Sequence, residues 1–111
     1  MTVLVGLFLI AHGLVHIAVW IPKPQPNAPF DSRHSWLLGE RPALVRQLAF
    51  TACALFVIAG ILVFSDADLG AGVAVAGAAV SLLLVLLTFN PWFLAAIAIN
   101  VAIIMIALAN P

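Results

Sequence analysis

Four apolar stretches, each close to twenty residues, alternate along the chain with three clusters of polar and helix-breaking residues. The first runs over about residues 2–21 and stops at Pro22, the second over 43–64, the third over 69–88 and the fourth over 91–109. A bilayer hydrocarbon core of roughly 30 Å takes about 20 apolar residues in a helix, so each stretch has the length of one span. Ser65-Asp66-Ala67-Asp68 forms an acidic turn between the second and third, and its Ser or Asp is placed to cap the next helix. Asn90-Pro91 divides the last long apolar run, with Asn90 as N-cap and Pro91 in the first turn. Connections this short force antiparallel neighbours. The pattern predicts an all-α membrane protein: one domain over residues 1–111, an antiparallel four-transmembrane-helix bundle with a 21-residue loop at 22–42.

Composition removes the alternative of a water-soluble globule. Hydrophobic residues make up 66% of the chain and charged residues 7%, too few to solvate a surface when soluble domains carry about 25%. The N-terminal stretch lacks a basic n-region and is too long for a signal-peptide core, so it reads as a true span. The formal net charge is zero, so charge gives no reason to expect a nucleic-acid partner. All four basic residues, Lys23, Arg33, Arg41 and Arg46, lie in or beside the 22–42 loop. The positive-inside rule then puts that loop in the cytoplasm and both termini outside, as expected in a bacterial-type inner membrane. Cys53 is the only cysteine, so no intrachain disulfide forms.

Small residues recur at the spacing that lets helix backbones approach, in Gly70/Ala74, Ala74/Ala78 and Gly77/Ser81 of the third span. Gly6 and Gly13 lie on one side of the first span and read the same way. These faces serve packing within the bundle, and they also suit a homo-oligomer or partner membrane subunits in the lipid bilayer.

Ionisable groups within a span are expensive and count as site candidates. His12 and His16, one turn apart, share a helix face, a spacing that suits two ligands of one transition-metal ion. A haem would instead need one of them with a histidine from elsewhere, such as His34. The structural alternative is a pair of cross-bundle hydrogen bonds at about 1 kcal/mol each. Depth relates the remaining polar residues. His12 lies nine residues from Ile21 and Asn100 nine from Pro91, so both sit near midplane, roughly 14 Å from the loop side. His16, Arg46, Gln47, Thr51 and Ser81 lie nearer the loop. Polarity is thus gathered beneath the loop, describing a pocket of Asp31, Arg46, Gln47, Thr51, Ser81 and Asn100 around the histidines.

The loop is expected to be extended through its prolines, then to form a short interfacial helix capped by Asp31 or Ser32, with Trp36-Leu37-Leu38 as its apolar face and Gly39 as its stop. Such a helix would hold Asp31 and His34 over the pocket, giving a candidate metal set of His12, His16 and His34. No pattern places a base beside Ser35, Thr51 or Ser81, so a membrane-embedded enzyme ranks behind the non-enzymatic readings. Three functions follow: a metal- or haem-binding or redox protein with a His-lined pocket, an accessory or assembly subunit of a larger membrane complex, or a small oligomeric proton-linked transporter.

Overall fold

In a computed structural model, residues 2–22, 27 and 31–109 are described. Helix α1 covers Thr2–Trp20, α2 Pro42–Phe64, α3 Leu69–Leu87 and α4 Leu94–Ala109, the last entered through a 3-10 turn at Pro91–Phe93. All four helical segments are long and apolar enough to cross a membrane. The molecule measures 43 Å along its long axis, close to the roughly 40–45 Å of a bilayer with its head groups. Helix boundaries follow the breakers read from the sequence. Asn90 Oδ1 accepts from Trp92 N at 2.8 Å, and Pro91 occupies the first helical turn.

Glycines set the helix crossings. A Cβ on Gly60 would fall 2.7 Å from the Gly6 carbonyl oxygen, and one on Gly13 would fall 3.0 Å from the Cys53 carbonyl. Helices α1 and α2 therefore run antiparallel with backbones in near contact. On α3, Gly77 faces Leu55 and Phe56 of α2, and Gly70 faces Val63. The small-residue face of α3 is accordingly spent inside the bundle, with Gly70, Ala74, Gly77, Ala78 and Ser81 all buried. Helices α1–α2, α2–α3 and α3–α4 pack side by side, whereas α1 and α4 share no comparable seam.

Two local expectations are corrected. Residues 31–40 carry no helix: His34–Ser35 (β1) pairs antiparallel with Gly39–Glu40 (β2) in a short hairpin. Ser35 Oγ accepts from Leu37 N and Leu38 N, and Gly39 takes φ of 77°, the left-handed region that closes the turn. Tertiary bonds explain the choice, because α1 and α3 end on this side with unsatisfied carbonyls. Ser32 Oγ donates to Val19 O at 2.8 Å, Arg33 Nη2 donates to Ile21 O, and Trp36 Nε1 donates to Leu86 O at 2.6 Å. The hairpin thus serves as a C-cap for two helices. At the other end, the Asp68 side chain makes no cap bond to α3; Ser65 Oγ bonds back to Ile61 O, and Gly70 N donates to Ala67 O. The proline-rich stretch expected to be extended, including Lys23, falls largely outside the described residues.

Candidate functional site

The site grows from one face of α1. Phe8, His12, His16 and Trp20 follow at four-residue spacing and form a column of rings. Phe8 stacks on His12 with centroids 5.8 Å apart, His12 meets His16 edge-on at 5.2 Å, and His16 stacks on Trp20 at 5.3 Å. Phe56 of α2 closes the back, 4.8 Å from His12 and 5.6 Å from His16. The polar tips of this column each reach a different helix turn. His12 Nε2 lies 3.1 Å from Asn100 Oδ1 on α4, His16 Nε2 lies 2.7 Å from Ser81 Oγ on α3, and Trp20 Nε1 donates to Thr88 Oγ1 at 3.1 Å.

Bond chemistry fixes the sense of these contacts. His16 Nδ1 lies 2.8 Å from the His12 carbonyl oxygen, which only accepts, so Nδ1 carries the proton. In a neutral imidazole, Nε2 is then an acceptor, and Ser81 Oγ–H donates to it. Ser81 Oγ in turn accepts from Asn100 Nδ2 at 2.8 Å, which leaves Asn100 Oδ1 to accept from His12 Nε2–H. The chain runs one way, from the His12 ring through Asn100, Ser81 and His16 to the His12 backbone. The opposite sense would require a charged imidazolium at His16, a residue only 2% exposed. Asn100, fully buried, is the hub.

Beside this network lies a cavity of about 340 Å³ in the gap between α1 and α4, its lining including His12, His16 and Ser81 and the aromatic rings of Trp20, Trp92 and Phe93. Its volume lies at the lower end of the roughly 300–1,000 Å³ typical of small-molecule sites. Among the described residues, Nδ1 of His12 is the one ring nitrogen of the two histidines that makes no hydrogen bond.

Of the residues expected to gather here, Ser81 and Asn100 join His12 and His16, and the others do not. His34 is exposed on the hairpin, with Nδ1 2.8 Å from Glu40 Oε1. Asp31 is exposed and accepts from Arg33 N at 2.9 Å. Arg46, Gln47 and Thr51 lie on the exposed face of α2, where Thr51 Oγ1 bonds back to Gln47 O. Among the described residues, no three His, Cys, Asp or Glu side chains come together as a metal-ligating group. The two imidazoles do share a face, yet three of their four nitrogens are committed to hydrogen bonds. Sequence reasoning did not single out Trp20, Thr88 or the Phe56 backing, although the four-residue stripe from Phe8 to Trp20 was visible.

No protein-family model, curated protein or solved structure matches this chain.

Proposed function

We propose that this is a non-enzymatic membrane binding protein whose loop-side cavity takes a small lipophilic molecule bearing a hydroxyl or N–H group. The cavity beside a closed hydrogen-bond network carries the reading. Because the network's bonding groups already engage one another, the best-suited ligand brings its own donor, and His12 Nδ1 is the acceptor left for it. Aromatic walls from Trp20, Trp92 and Phe93 favour a flat apolar body. A metal ion or haem bound through both histidines would have to open bonds that a hydrogen-bonded ligand leaves intact.

The test uses the cavity's own tryptophans. In nanodiscs, 4-hexylphenol quenches or shifts the tryptophan emission saturably, whereas its methyl ether, which lacks the donor, does not; His12→Phe abolishes the difference. Equal responses to phenol and ether would refute the reading, because a site built around a hydrogen bond rejects the analogue without it.

We infer further that the 22–42 loop faces the cytoplasm of a bacterial-type inner membrane, following the basic residues Lys23, Arg33, Arg41 and Arg46 in or beside it in the sequence. In a Cys53→Ala background, Asp68→Cys should then react with an impermeant maleimide added outside intact cells.

A second reading, an accessory subunit of a larger membrane complex, draws support from the outward polar edge of Arg46, Gln47 and Thr51 on α2. Mild-detergent extraction and mass measurement test it: other chains should accompany the protein, and Gln47→Leu should release them.

A further inference from the structure

The α1–α4 gap opens a second time, beyond the His12–Asn100 bond, toward the acidic turn. A groove of about 730 Å³ lies there, its walls including Phe8 and Leu9 of α1, Ala74 of α3 and Ile103 of α4. Asp66 and Asp68 also line it, at the turn that ends α2 and begins α3. Among the described residues neither carboxylate is in an ion pair, and the arginines, Arg33, Arg41 and Arg46, all lie at the loop end.

We propose that this groove binds an amphiphile with a cationic head group, its chain lying between α1 and α4 and its head against Asp66 and Asp68. Lipid tails are as apolar as the groove walls, so burial of the chain alone creates no preference between amphiphiles. Selectivity arises at the head. Two carboxylates at the membrane boundary attract a quaternary ammonium and repel a sulfate or phosphate, and among the described residues no basic side chain of that half offsets them. The site is separate from the loop-side cavity, with the His12–Asn100 bond between them.

Native mass spectrometry of the full chain from dodecyl maltoside micelles tests the proposal, with tetradecyltrimethylammonium and tetradecyl sulfate as equimolar probes. The cationic probe should form a one-to-one adduct in about ten-fold excess over the sulfate, the scale expected of two partly exposed charge pairs. The double variant Asp66→Asn, Asp68→Asn should bring the ratio near one. Asn tolerates the positive φ of 55° at position 66, so the exchange removes charge without disturbing the turn. Ala107→Phe, which fills the groove, should weaken the cationic adduct while leaving the response to 4-hexylphenol intact. Equal adducts of both probes, or a cationic preference that survives the double Asn variant, would overturn it.

Discussion

His12 Nε2 lies 3.1 Å from Asn100 Oδ1, a bond between the first and last helices of a bundle in which those two helices otherwise share little packing. In hydrocarbon neither group has water as an alternative partner, so the pair acts as a strut across the α1–α4 gap. Cross-helix hydrogen bonds in membranes are worth about 1 kcal/mol each. His12→Phe, which keeps the ring between Phe8 and Phe56, and Asn100→Leu should each cost about 1–2 kcal/mol in a reversible detergent-unfolding titration. The double variant should cost clearly less than the sum, because both singles break the same bond. Strict additivity would mean that the strut carries no energy.

Ser81 accepts from Asn100 and donates to His16 with one hydroxyl. Ser81→Ala strands a buried amide proton and a buried imidazole nitrogen at once, at about 1–3 kcal/mol. Thr51→Ala removes only a hydroxyl that bonds to its own helix on the exposed face of α2, and should stay within about 0.5 kcal/mol. Unfolding titrations of the two variants side by side check the contrast.

Backbone contact between α1 and α2 at Gly6 and Gly60 leaves no room for a side chain, whereas Gly72 of α3 faces open space. Gly60→Leu should separate the helices and cost at least about 1–3 kcal/mol by overpacking. Gly72→Leu should leave stability nearly unchanged. Thermal aggregation measured by fluorescence-detected size exclusion distinguishes them.

Gly39 sits at φ of 77° with no atom near its missing Cβ. Gly39→Ala therefore meets only the backbone cost of a left-handed residue, about 1–2 kcal/mol, and Gly39→Asn should recover part of it. The readout is proteolysis of the hairpin, which should be faster in the Ala variant and intermediate in the Asn variant.

The spans were legible because their ends are marked by residues with strong local chemistry: Pro22, Ser65 to Asp68, and Asn90-Pro91. The His12–Asn100 pairing was half legible, since counting the helical rise from each end put both at one depth. Azimuth was not. Helices that are apolar on every side carry no stripe to show which face turns inward, so Gln47 and Thr51 shared the depth of His16 yet lie on the outer face of α2. The hairpin at 31–40 was missed for a different reason. Trp36-Leu37-Leu38 has the look of a helical apolar face, and the partners that decide otherwise, the carbonyls of Val19 and Leu86, are distant in sequence.

Everything proposed for the loop-side cavity rests on the one-way chain of hydrogen bonds through His12, Asn100, Ser81 and His16. That chain demands opposite neutral tautomers in two histidines one turn apart: a proton on Nε2 of His12 and on Nδ1 of His16. Nitrogen-15 NMR of histidine-labelled protein in lipid bilayers, assigned with His12→Phe and His16→Phe, reads each tautomer directly. His12 and His16 should show one tautomer of each kind, beside the separate signal of the exposed His34, with Ser81→Ala perturbing Nε2 of His16. The same tautomer in both rings, or imidazolium or metal-bound signals from either, would contradict it.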